Sequence, residues 1–175
     1  MNNPFATLGL DPQFDIDKAQ LEERYRSLQK TLHPDRHRGG SPAERRLSLL
    51  KAMEVNDAYR QLRDESSRAA ALLALHGVTA EEAQADPAFL MEVMELREAL
   101  SEARAARDGA AVERLAGQVK SERQRTCEQL ASGFRALHQD SADAVAVQLQ
   151  STLGQLRYYQ RFLDEVRAIE DDLGA

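Results

Sequence analysis

His33, Pro34 and Asp35 place an imidazole, a locked ring and a carboxylate on three successive residues, within Leu32-His33-Pro34-Asp35-Arg36. An imidazole beside a carboxylate suits proton transfer, metal binding or recognition by contact. Proton transfer needs a pocket and a third group to orient the base. Nothing nearby resembles a nucleophile, a phosphate cradle or an oxyanion site. His33 and His37 stand four apart, which would suit a metal on a helix, but Pro34 breaks that helix and the spacing loses its meaning. Cys127 is the one cysteine, so neither an internal disulfide nor a cysteine zinc site is available. His76 sits at an expected helix end, where its charge suits the dipole. Contact chemistry remains. No catalytic residue, metal or cofactor is expected, and the chain is not expected to be an enzyme.

The elements around the tripeptide decide what it can contact. Leu21, Tyr25, Leu28 and Leu32 recur at steps of four, three and four, one apolar stripe on a helix. Pro34 cannot donate a backbone hydrogen bond and pushes His33 out of helical conformation, so that helix stops here. Ser41-Pro42-Ala43-Glu44 then opens the next helix as a capping box. This second helix runs to about Arg63 and repeats its apolar face at Ala52, Val55, Tyr59 and Leu62. A rigid polar tip therefore joins two helices. Alone, His-Pro-Asp is an ordinary turn; its setting gives it more. Arg24, Arg26 and Lys30 stud the preceding helix, and Arg24 to Arg46 holds seven basic and two acidic residues. That patch would steer an acidic partner toward the tip.

Composition bounds the rest. The 175 residues carry a net charge of −6, and no alternating strand pattern rich in Val, Ile or Thr occurs. An all-α fold is expected. The charge argues against a general nucleic-acid binder, which needs a basic footprint. It is also uneven: residues 1–64 carry 11 Lys or Arg against 10 Asp or Glu, residues 65–175 carry 12 against 19. No apolar run reaches membrane-spanning length and no secretory leader is recognised, so a cytoplasmic protein with no membrane partner is expected.

Along the chain, Pro4 to Leu10 reads as a short helix closed by Gly9, with Phe5 and Leu8 packing inward. Asp15 or Asp17 caps the helix that ends at Leu32. Glu65 to Leu75 is a further helix ending at His76-Gly77, a connector between domains. Thr79-Ala80-Glu81-Glu82 is a second capping box opening a brief turn. Asp86-Pro87 starts a helix whose Phe89, Val93, Leu96 and Leu100 form a core face. Leu90, Met91 and Met94 fall off that face, beside Glu95, Glu98 and Glu102. Composition leaves open whether they are a partner patch or a second core stripe. A long helix from Asp108-Gly109 to about Leu137 follows, with a solvated middle from Lys120 to Thr126 and His138 closing it. Ser141 caps the last helix, where Gly154 is expected to permit close contact. The helices beginning near Phe89, Ala110 and Ser141 make an antiparallel bundle.

The tripeptide, its basic helix, Phe5-Ala6-Thr7-Leu8-Gly9-Leu10 and Val55-Asn56-Asp57-Ala58-Tyr59-Arg60-Gln61-Leu62-Arg63-Asp64 together resemble a J domain. J domains activate heat-shock ATPase chaperones of the DnaK and HscA type. The resemblance implies a chaperone-binding surface of His33, Pro34, Asp35 and Arg26, with Arg24 and Lys30 matching as positive charge. Leu90-Met91-Glu92 and Glu95-Leu96-Arg97-Glu98, with the Arg68 to Gly77 connector, are similar to the HscB-type co-chaperones of iron–sulfur cluster assembly. That similarity implies a surface for an IscU-type scaffold: Leu90, Met91, Met94, Glu95, Glu98 and Glu102, with Phe162 as an aromatic on the neighbouring helix. The expectation is thus a J domain with its connector helix at 1–76 and a scaffold-binding three-helix bundle at 77–175. Alternatives are a generic J-domain co-chaperone for other clients and a non-catalytic helical adaptor.

Overall fold

The computed structural model describes residues 3–33, 41–79, 86–139 and 143–174. Their order is α1 (Pro4–Leu8), α2 (Lys18–Leu32), α3 (Pro42–Arg63), α4 (Glu65–Leu75), α5 (Pro87–Ala105), α6 (Gly109–Gln139) and α7 (Asp143–Gly174). The chain is all-α, with helices the only regular elements among the described residues. Backbone contacts divide it into two units, Met1–Thr79 and Ala80–Ala175.

Each helix from α1 to α6 begins where a short polar side chain accepts the first free backbone N–H groups. Asn3 Oδ1 receives Phe5 N–H and Ala6 N–H, and Asp17 Oδ1 receives Ala19 N–H at 2.8 Å. Ser41 and Glu44 form the reciprocal capping box: Glu44 N–H donates to Ser41 Oγ, and Ser41 N–H donates to Glu44 Oε2. Asp64 ends α3 and caps α4, taking Ser67 N–H at 2.7 Å and the Ser66 hydroxyl at 3.2 Å. Asp86 Oδ1 accepts Ala88 N–H in front of Pro87. At the far end of α4, Gly77 takes φ of 74°. It sends its N–H to Ala74 O while Val78 N–H reaches Leu73 O, the left-handed closure that favours glycine.

In the first unit α3 packs against α1, α2 and α4. Phe5, Leu8, Phe14, Leu21, Val55, Leu62, Leu72 and Leu73 are all buried. So is Arg68, at 4 % exposure. Its Nη1 donates to Leu62 O at 2.6 Å and its guanidinium lies over the Phe14 ring at 5.0 Å. A buried cation is tolerated when it is hydrogen-bonded in this way, and here it ties the α3–α4 corner to the loop carrying Phe14.

In the second unit α5, α6 and α7 form the antiparallel bundle, with α6 and α7 sharing the longest contact. Leu96, Leu100, Val112, Val119, Tyr159, Phe162 and Val166 lie in its core. Two expectations are corrected. A Cβ on Gly154 would meet nothing within 4 Å, whereas one on Gly133 would lie 2.7 Å from Leu149 Cδ2, so the close approach is at Gly133 on α6. The polar middle of α6 is not wholly solvated either: Thr126 is buried, its hydroxyl satisfied by Glu122 O at 2.8 Å. The expected capping box at 79–82 and the Ser141 cap fall on residues 80–85 and 140–142, outside the described residues. No helix among the described residues is long and apolar enough to cross a membrane.

Candidate functional site

The first candidate surface is the end of α2. His33 leaves the helix at φ −59° and ψ 132°, the extended conformation required of a residue before proline. Pro34 and Asp35 lie outside the described residues. His33, Arg26, Lys30 and Gln29 line a cleft of about 410 Å³. Arg24 is exposed but on another side of the helix, two residues from Arg26 and so roughly opposite it. Arg26 Nε meets Glu22 Oε1 at 2.9 Å with 71 % of its side chain exposed. So exposed a pair holds its partners only weakly. The guanidinium therefore remains accessible to a partner.

Polar contacts bind α2 to α3 at three places along its length. Near its start, the Tyr59 hydroxyl donates to Glu22 Oε2. That bond, with the Arg26 guanidinium, outweighs the upward push from burial and holds the Glu22 carboxyl below its ordinary range. In the middle, Tyr25 stacks on Tyr59 with centroids 4.0 Å apart. The Tyr25 hydroxyl donates to Asn56 Oδ1 at 3.1 Å, and Gln29 Nε2 donates to the same oxygen at 3.0 Å. At the end, the buried Ser48 hydroxyl donates to Leu32 O at 3.0 Å. The last carbonyls of a helix have no partner within it. Ser48 supplies one from the neighbouring helix, at the residue before His33. Periodicity identified the apolar stripe of this pair but not Gln29, Ser48 or Asn56, because polar residues between helices look like solvated ones in a sequence.

The second candidate surface is on α5. Leu90, Met91 and Met94 are 49 %, 65 % and 71 % exposed, so they are a surface patch and not a second core stripe. Leu90, Met94 and Glu98 follow at steps of four, and Met91, Glu95 and Glu102 run alongside, all exposed on one face. The opposite face buries Leu96, Leu100 and Ala103. Phe89 wedges between Tyr158 and Tyr159, edge-on to both at 5.6 and 5.8 Å. The Tyr159 hydroxyl donates to Glu92 Oε1 at 3.0 Å and that of Tyr158 to Val93 O at 3.3 Å. Burial, then the bond to Glu92 and its charge, push the Tyr159 hydroxyl well above its ordinary pKa. The two hydroxyls tie α5 to α7. The patch is thus presented on a stiff support.

Phe162 is not on this surface. At 2 % exposure it lies in the core, with its ring 6.2 Å from that of Tyr158. On a two-sided helix such as α7 the aromatic nearest α5 points inward. Sequence reasoning also missed a third exposed apolar group, Leu47, Leu49, Leu50 and Met53 on α3, at 48–57 % exposure.

Comparison with known proteins adds kinship to geometry. Residues 3–71 match the family described as DnaJ domain, and residues 85–167 match the HSCB C-terminal oligomerisation domain. A co-chaperone protein HscB homolog from Mannheimia succiniciproducens is 32 % identical over 99 % of this chain and 98 % of its own length. One from Ralstonia nicotianae is 39 % identical, over 82 % of this chain and 83 % of its own. Among solved structures, chaperone HscB from Vibrio cholerae superposes with a TM-score of 0.83 at 32 % identity, covering 98 % of this chain and 99 % of that one. The human co-chaperone protein HscB gives 0.81 at 28 %, covering 94 % and 80 %.

Proposed function

Because this chain belongs to the HscB co-chaperone family, we propose that it stimulates a DnaK/HscA-type ATPase through His33-Pro34-Asp35 and delivers an IscU-type iron–sulfur scaffold to it. The first unit supplies the activator. His33 and the Arg26/Lys30 cleft approach an acidic surface of the chaperone, steered by charge, and Asp35 at the tip makes the decisive contact. The chain breaks no bond itself. It binds best to the state of the ATPase that hydrolyses and so raises the population of that state. The second unit carries the cargo, with Leu90, Met91 and Met94 as apolar anchors and Glu95, Glu98 and Glu102 as the polar border. Phe162 serves from behind, as the core residue on which the patch rests. The same reading places the protein in the cytoplasm.

The observation that carries this reading is the α5 face: three large apolar side chains, 49–71 % exposed, beside a row of carboxylates. Monomeric proteins seldom leave such a group open without a partner. The test has two arms. Asp35→Asn abolishes stimulation of a purified chaperone's ATPase while the circular-dichroism spectrum stays native. Leu90→Ala with Met94→Ala lowers scaffold affinity by about 2 kcal/mol or more in calorimetry. A generic J protein would bind unfolded clients in place of the folded scaffold, and a helical adaptor would tolerate Asp35→Asn without loss.

A further inference from the structure

A face of α3 carries chemistry that neither proposed surface uses. Leu49, Leu50 and Met53 are 57 %, 48 % and 54 % exposed, and Leu47, at 54 %, lies at their edge. The sides that pack are different ones: Ser48, Val55, Ala58 and Leu62 are buried in the first unit, and Asn56 and Tyr59 bond to α2. Four large apolar side chains so close together exceed the scattered leucines of an ordinary surface. The charges among them are ordered. Arg46 stands four residues before Leu50 and Asp57 four after Met53, so the four form one stripe along the helix, with both charged residues exposed. Lys51 and Glu54, also exposed, flank the stripe. Asp57 is held by Arg60 at 2.8 Å, but with side chains 76 % and 68 % exposed that pair exchanges readily. Read from either end, the stripe gives a charge, two large apolar side chains and a charge of the opposite sign.

Such a stripe is complementary to itself turned end for end. We infer that α3 of one copy pairs antiparallel with α3 of a second copy, about a two-fold axis passing between Leu50 and Met53. Leu50 of each copy then meets Met53 of the other, and Arg46 meets Asp57, every contact being made twice. Lys51 and Glu54 of opposite copies fall within about 3 Å of level along the axis. A parallel pairing would set like charges side by side. An anionic lipid surface suits a wholly basic border, and Glu54 and Asp57 would be repelled by it. A lone helix-on-helix contact is smaller than the roughly 1,600 Å² of a standard stable interface, so the pairing is reversible and rises with concentration. It lies in the first unit, outside residues 85–167 that match the oligomerisation domain, and it uses no residue of the α2 cleft or of the α5 face.

Disulfide trapping tests this on the full-length chain carrying Cys127→Ala. In the antiparallel pair, position 46 of one copy lies level with position 57 of the other, where the Cα atoms of packed helices come within the roughly 7 Å that a disulfide spans. Position 46 lies about 16 Å along the axis from position 46 of the other copy. Arg46→Cys mixed with Asp57→Cys in a glutathione redox buffer therefore gives a cross-linked dimer, and Arg46→Cys alone gives about tenfold less. Equal cross-linking in the two samples, or none in either, overturns the inference. Charge exchange, followed by sedimentation velocity over a range of concentrations, is the second readout. Both positions are exposed, so the variants stay folded. Arg46→Asp weakens association about tenfold or more, and Arg46→Asp with Asp57→Arg restores it, since the stripe is again complementary to itself. Association that Arg46→Asp leaves unchanged, or that the exchange does not restore, overturns the inference. Neither measurement contains scaffold or chaperone, so failure here leaves the co-chaperone reading standing, and failure of that reading leaves this one.

Discussion

Phe162 separates a residue that touches a partner from one that holds up the residues that do. It is 2 % exposed and packs in a cluster with Leu96, Leu100 and Val166. Burying such a side chain contributes about 1.5–3 kcal/mol. Truncation adds the cavity left behind, so Phe162→Ala costs about 3–5 kcal/mol. Phe162→Leu keeps an apolar group in place and costs about 1–2 kcal/mol. Against an ordinary stability of about 5–15 kcal/mol, the leucine variant stays folded. Urea unfolding gives the energies, and hydrogen exchange read on α5 and α7 peptides assigns them to the second unit. Calorimetry on the folded leucine variant then finds scaffold affinity within about threefold of wild type. Leu90→Ala with Met94→Ala shows the reverse. Both side chains are exposed, so stability moves by about 0.5 kcal/mol or less, while affinity falls about thirtyfold, the equivalent of 2 kcal/mol. If Phe162→Leu remains as well protected from exchange as wild type yet loses tenfold or more in affinity, its ring reaches the partner and the division of labour drawn here is wrong.

Two further outcomes follow from the hydroxyls that join helices. Ser48→Ala removes a hydrogen bond worth about 0.5–1.5 kcal/mol and regains about 0.5 kcal/mol of helix propensity. Unfolding then shows a net loss of about 1 kcal/mol or less, while chaperone stimulation drops because the end of α2 is no longer pinned; unchanged stimulation counts against the pin. Tyr159 has its pKa raised in the fold, by burial first and then by Glu92. The unfolded chain's tyrosine ionises from about pH 10 while the folded one stays protonated, so its contribution is whole below pH 10 and is lost as pH rises beyond. In Tyr159→Phe the decline of unfolding free energy above pH 10 is shallower, though not absent, because burial also raises Tyr158. An identical alkaline slope would show that the hydroxyl titrates freely.

Much of the fold was readable in the chain because helix boundaries are written locally. The Ser41–Glu44 box, the stop before Pro34 and the closure at Gly77 depend on neighbours in sequence and lie where spacing put them, and of the two candidate caps Asp15 and Asp17 the second is the one used. The exposed run of Leu90, Met91 and Met94 was readable as surplus to one stripe, though composition could not say whether a second helix covered it. Position across a helix pair was not readable. Phe162 came into the scaffold surface only through resemblance, as an aromatic on the neighbouring helix, and only the placement of α5 and α6 shows that it faces the core. Gly154 and Gly133 are equivalent letters, and Leu149 opposite one of them makes the difference. Arg68 entered only as the start of the connector, and its burial depends on Phe14 and Leu62 O, which lie outside its local sequence pattern though near it in the fold.

The hairpin of α2 and α3 has a property that purely greasy packing would not give it. Leucine against leucine lets two rods slide by a residue at small penalty, since any methyl fits roughly against another. Glu22 with Tyr59, Asn56 with Tyr25 and Gln29, and Leu32 O with Ser48 engage at one offset only. Slip by one notch would strand donors and acceptors at all three rungs together. The rungs thus work as a vernier: they fix where α2 stops at His33 against where α3 starts at Pro42, and so set the two anchor points between which the connecting segment must be strung.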